Sequence, residues 1–255
     1  TGLRDVADTM SQQLERELGA GFEVWNVAVS GYCTLSEVRL LETRALAFAP
    51  DTVVLVFVMN DFDDFNTNLV ELAAAAPRSR IVRALFHASH GFRAVAARAG
   101  WFGTGGDPVE RNRTAIGDGN VVRGLARLSA LARREGFDVV LLVWPRFSRT
   151  GVVDPHPMAD EGGDLVVGRL AAAHGIPAVR LSPVYRAHME REPEVVKDGP
   201  RSVYTIPLDD THPSRLGNAI AARALRDWLL ERTGRSPPPG AVANELPPLR
   251  EREVA

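Results

Sequence analysis

Along the first eighteen residues the apolar positions Val6, Met10, Leu14 and Leu18 recur every four residues, which lays them along one helical face and predicts a surface helix. The pattern then changes. FEVWNVAV, residues 22–29, is short, β-branched and aromatic and is bounded by Gly21 and by Ser30-Gly31, which predicts a strand. A helix is expected over about 35–48, ended by Pro50. TVVLVFVMN, residues 52–60, is apolar at successive positions and reads as a strand buried on both faces of a parallel sheet. The alternation continues with a helix over 120–135, the strand DVVLLVW at 138–144, a helix near 162–174, the strand IPAVRL at 176–181, and a closing helix over about 213–232.

Strands that alternate with helices imply an α/β fold, a three-layer α/β/α sandwich around a parallel sheet. In such sheets ligands bind beyond the carboxyl ends of the strands. Residues 62–116 are too long for a simple connection and read as helical, with breaks near Pro77 and Gly91; we read them as an inserted helical cap. Seven arginines lie between Arg78 and Arg113 against Asp107 and Glu110, a basic surface read as a solvated helical face in preference to contact with an anionic substrate or a membrane. The stretch after residue 233, with SPPPG and LPPLREREVA, is Pro-rich and charged and is expected to be a flexible tail (234–255), leaving 1–233 as the folded domain.

Composition narrows the class. The 255 residues are 45% apolar and 24% charged with a net charge of -2, so no global charge favours nucleic acid as a partner. One cysteine, Cys33, leaves no internal disulfide and no multi-cysteine metal site. The longest apolar run, 52–59, falls well short of the ~20 residues that span a bilayer, and the sequence shows no signal-peptide pattern. Neither G-x-x-x-x-G-K-[ST] nor G-x-G-x-x-G occurs, which argues against a bound nucleotide.

Three polar stretches fall at or beyond predicted strand ends: Ser30-Gly31-Tyr32, Asn60-Asp61, and DDTHP at 209–213 just ahead of the closing helix. Each alone has an ordinary reading as a turn or a helix cap. Together they occupy the end of the sheet at which a parallel α/β fold presents its active site.

In this order, N-x-x-x-x-G, then N-D after a strand, then D-x-x-H-P before a last helix, the sequence resembles the SGNH hydrolases, also called GDSL esterases and lipases. NVAVSGYCTLSEVRLL (26–41) is similar to the family's second block, VFVMNDFDD to its third and DDTHPSRLGNAIA to its fifth. The resemblance spans about residues 1–230 and implies a flavodoxin-like parallel sheet and an acyl-ester hydrolase that needs no metal or cofactor. It assigns the backbone N–H of Gly31 and the side-chain amide of Asn60 to the oxyanion hole, His212 to general base and acid, and Asp209 to orienting the imidazole. Adjacent Asp210 is not excluded as that carboxylate, though the spacing of the motif favours Asp209.

The sequence departs from the family at one point of consequence: G-D-S, the block that carries the nucleophilic serine, is absent, and Thr1-Gly2 resemble the residues just after it. The expectation is that the serine and the first strand lie upstream of Thr1 and that the chain without them is less stable. Val58 also replaces the glycine of the third block. Ser30 lacks the glycines of a G-x-S-x-G elbow, and Cys33 is read as a packed residue. His87 and His90 lack a nearby carboxylate for a metal site; His156 is assigned to a loop, His174 to a helix end and His188 to the short helix after Ser182. The partner expected is a small-molecule or carbohydrate ester. Two alternatives remain open: a carbohydrate O-acetyltransferase or O-deacetylase, and a noncatalytic module that binds an acyl or glycan ligand.

Overall fold

The computed structural model describes residues 5–29, 32–58, 61, 79–98, 119–153, 166–206 and 212–235. The chain divides into two compact units, one made of Thr1–Val27, Asp51–Met59 and Gly136–Ala255, the other of Ala28–Pro50 and Asn60–Glu135.

The first unit holds a parallel sheet, as the alternation predicts. Strands β1 (Thr52–Phe57), β2 (Asp138–Val143) and β5 (Ala178–Arg180) lie in the order β1-β2-β5. Thr52 stands opposite Asp138 and Phe57 opposite Val143, while Leu141 to Val143 stand opposite Ala178 to Arg180. Val140, Leu141, Leu142 and Val143 are fully buried. Strand side chains alternate in direction, so β2 is covered on both faces, which is why its sequence lacks a polar face.

One face of β2 joins a core with helix α1 (Met10–Leu18), helix α7 (Leu181–Arg191) and the closing helix α9 (Arg215–Thr233). Leu14, Leu18, Val140, Leu142, Tyr185, Leu225 and Leu229 belong to that core. Each fully buried aliphatic side chain contributes about 1.5–3 kcal/mol by its removal from water. Glu17 ties α1 to α9, with Arg223 Nε at 3.0 Å and Arg226 Nη1 at 2.5 Å. A small antiparallel hairpin, β3 (Arg146–Phe147) with β4 (Val152–Val153), follows β2.

One expected strand is absent. Residues 22–29 form no strand: Phe22 and Val24 pack against the core, whereas Trp25, Val27 and Val29 are 60%, 41% and 37% exposed. A strand exists through a ladder of hydrogen bonds to a neighbouring strand, and no sheet among the described residues includes this segment. Its β-favouring composition is therefore unused.

The second unit is helical in its described residues. Helix α2 (Thr34–Thr43) runs into a 3-10 turn at Ala45–Phe48 and packs on the long helix α5 (Asn120–Glu135). Val38 and Leu41 on α2 and Val121, Leu125 and Leu128 on α5 are buried, and Arg127 pairs with Glu42. The expected cap and tail lie largely outside the described residues. Within 79–98 two helices occur, α3 (Arg80–Ala88), capped by Ser79, and α4 (His90–Arg98). Between β4 and β5, helix α6 (Val166–Ala173) is described, and a short helix α8 (Pro200–Tyr204) precedes the loop that carries His212.

Candidate active site

Of the residues assigned to catalysis, His212 is described and exposed; Gly31, Asn60 and Asp209, with the alternatives Ser30 and Asp210, lie outside the described residues.

In the first unit the loop preceding α9 is closed at its base. The Ile206 N–H donates to the His212 carbonyl at 3.0 Å, and Thr205 and Pro213 form an antiparallel bridge. The Ser214 N–H donates to the Tyr204 carbonyl at 2.8 Å and its hydroxyl to the Val203 carbonyl at 2.7 Å. That same hydroxyl accepts from the Gly217 N–H at 3.1 Å, so Ser214 caps α9 while tying it to α8. Pro213, the bridge partner of Thr205, disfavours helical backbone at the residue before it, which keeps His212 outside the first turn.

The core at the root of α9 is aromatic and polar. The Tyr185 hydroxyl donates to the Gly217 carbonyl at 2.7 Å, and the Tyr204 hydroxyl shares a 2.7 Å hydrogen bond with His188 Nδ1. Burial holds His188 below its usual range, with the Arg191 charge adding to the effect and Glu192 opposing it. Burial likewise lifts the Tyr204 phenol above its usual range. His188 is thus a core histidine whose burial disfavours the charged form. A Cβ on Gly217 would stand 2.4 Å from the Tyr204 carbonyl oxygen, so the close approach of α9 to α8 depends on glycine.

In the second unit, three buried polar side chains join segments far apart in sequence. The Thr34 hydroxyl donates to Asp61 Oδ2 at 2.6 Å. The Asn120 amide donates to the Asp61 carbonyl at 2.6 Å and accepts the Leu35 N–H at 3.0 Å. Thr34, Asp61 and Asn120 are 0%, 5% and 1% exposed. Gly124, one turn along α5 from Asn120, makes room: a Cβ there would lie 2.7 Å from Thr34 Cγ2. Nearby, burial first and the Asp61 charge second push the Glu37 carboxyl up to about 8, and its Oε2 has no hydrogen-bond partner among the described residues. Cys33 is buried, 3.4 Å from the Ser36 hydroxyl, and precedes α2 as a packed residue.

Sequence reading did not find this network, because no local pattern links positions 34, 61 and 120. The weak signal available was a polar residue at each of three predicted element boundaries. Trp144 Nε1 and Ser182 Oγ, just past β2 and β5, are also buried without a partner among the described residues. Those residues include no metal-holding cluster of His, Cys, Asp or Glu, and no helix among them is long and apolar enough to cross a membrane.

A crystal structure of an acetyl xylan esterase superposes on this chain with a TM-score of 0.50, covering 87% of it and 91% of the esterase chain at 14% sequence identity. The two chains share a three-layer α/β/α fold. No protein-family model matches the chain, and no curated protein does.

Proposed function

We propose that this chain supplies the acid–base and oxyanion groups of a carboxylic ester hydrolase of the SGNH type. The observation that carries the reading is the D-x-x-H-P motif at the root of the closing helix, on a loop pinned at both sides, in a fold shared with an acetyl xylan esterase. His212 takes the proton of a seryl hydroxyl as its oxygen attacks the ester carbonyl carbon. The Gly31 N–H and the Asn60 amide donate to the oxygen that becomes negative, each such donor being worth roughly 3 to 4 kcal/mol at the transition state. The intermediate collapses, the carbon–oxygen bond to the alcohol breaks, and His212 returns the proton to the departing oxygen. Water then attacks the acyl-enzyme by the same route and releases the acid. Asp209 holds the imidazole in the tautomer this requires and stabilises its cation.

The substrate class we favour is a carbohydrate bearing O-acetyl groups, on the strength of the neighbour's acetyl xylan activity. The test uses the polypeptide encoded by the whole reading frame that contains this chain. It should release acetate from acetylated xylan and from p-nitrophenyl acetate, and should react covalently with a fluorophosphonate. His212→Ala should lower kcat by at least ~10³-fold. Acetyl transfer to an added sugar in place of acetate release would identify a transferase. Binding of acetylated sugar without acetate release or labelling would sink the catalytic reading and leave a binding module.

A further inference from the structure

We infer that Thr34, Asp61 and Asn120 form a positioning clamp that holds the segments bearing the two oxyanion donors in fixed register; the inference rests on the esterase reading for its catalytic meaning. Asp61 is joined by one peptide bond to Asn60, and Thr34 follows Gly31 by three residues. Both are buried, and a 2.6 Å hydrogen bond links their side chains across 27 residues of sequence. Asn120 completes the set by using both ends of its amide, donating to the carbonyl of Asp61 and accepting from the N–H of Leu35. One side chain therefore fixes the backbone on both segments at once.

A buried carboxylate is costly unless its hydrogen bonds are made. Apolar packing already joins α2 to α5 through Val38, Leu41, Leu125 and Leu128, so holding the helices together does not call for a charge here. The polar set sits where the chain enters α2 and where it passes Asp61, the two places from which a fixed separation is transmitted to Gly31 and Asn60. Gly124 supports the same reading, since it lets α5 come against Thr34 where any side chain would collide. Oxyanion donors stabilise a transition state only when aimed in advance at the developing charge. A slack clamp would lower kcat and leave ground-state binding in place.

The experiment compares Thr34→Val, which keeps the shape and removes the donor, with Thr34→Ser, which restores it, in the polypeptide of the whole reading frame. Two readouts are taken: backbone hydrogen exchange across residues 26–36 and 57–62, with 138–147 as internal control, and kcat and KM for p-nitrophenyl acetate. The clamp predicts about tenfold faster exchange in the first two segments for Thr34→Val, an unchanged control segment, and about a tenfold fall in kcat with KM within about twofold. Thr34→Ser recovers both. Unchanged exchange overturns the clamp whatever the kinetics. Faster exchange in an active enzyme with unaltered kcat overturns the positioning role and leaves a structural network. Faster exchange in a protein that hydrolyses no ester upholds the clamp and rejects the esterase reading.

Discussion

Replacing Glu37 by glutamine is expected to stabilise the protein increasingly as pH rises. The Glu37 carboxyl is displaced from an ordinary value of 4.5 to about 8, first by burial and then by the charge of Asp61. Between those two values the unfolded chain has lost a proton that the folded protein keeps. Stability is therefore greatest below the lower value, declines as pH rises through the window, and stops declining above the upper one. The slope approaches ~1.4 kcal/mol per pH unit, which sets a ceiling of ~5 kcal/mol across the window. One carboxyl oxygen is sealed, but the residue as a whole keeps part of its surface in water. Solvent screening then brings the working figure down to about 2–3 kcal/mol. Urea unfolding of wild type and Glu37→Gln at pH 5, 7 and 9 measures it. The two proteins should differ least at pH 5 and most at pH 9, with the variant the flatter. Parallel pH dependences would refute the argument, because Glu37 would then be exchanging its proton as freely in the folded state as in the unfolded one.

Two further substitutions probe the base of the His212 loop. Gly217→Ala brings a methyl group within 2.4 Å of the Tyr204 carbonyl oxygen, a rigid backbone atom; it is expected to cost about 2–4 kcal/mol, read as a lower Tm, and an unchanged Tm would show that α9 does not need so close an approach. His188 is held below its usual range by burial, so the unfolded chain takes up a proton that the folded one refuses, and stability is expected to fall as pH drops below the ordinary histidine value of 6.5. His188→Gln should flatten that acid limb, and an equally steep limb in the variant would assign it to other groups.

Secondary structure was most legible where local pattern and tertiary demand agree. Helix α5 occupies the predicted 120–135, and β2 ends one residue short of its predicted limit. Both carry long, consistent patterns, one periodic and one continuously apolar. The segment 22–29 shows the opposite case: β-branched and aromatic residues state a preference, but pairing requires a second chain segment alongside, which composition does not encode. The β3–β4 hairpin escaped notice because two residues per strand give no period to detect. Around the candidate site, the D-x-x-H-P spelling could be read directly, while the bridge between Thr205 and Pro213 that pins His212 could not.

The sequence by itself determined the α/β class, the parallel strands and the histidine at the root of the closing helix, since these follow from local pattern and its alternation along the chain; of the described strands only β2 is buried on both faces, whereas β1, expected to be so, buries only Leu55 and Phe57. The tertiary structure alone decided that His188 is a sealed core histidine bonded to Tyr204 and that Thr34, Asp61 and Asn120 meet. It also decided that burial and the charge of Asp61 push the Glu37 carboxyl upward. Burial and proximity across tens of residues set those properties, and both are created only when the chain folds.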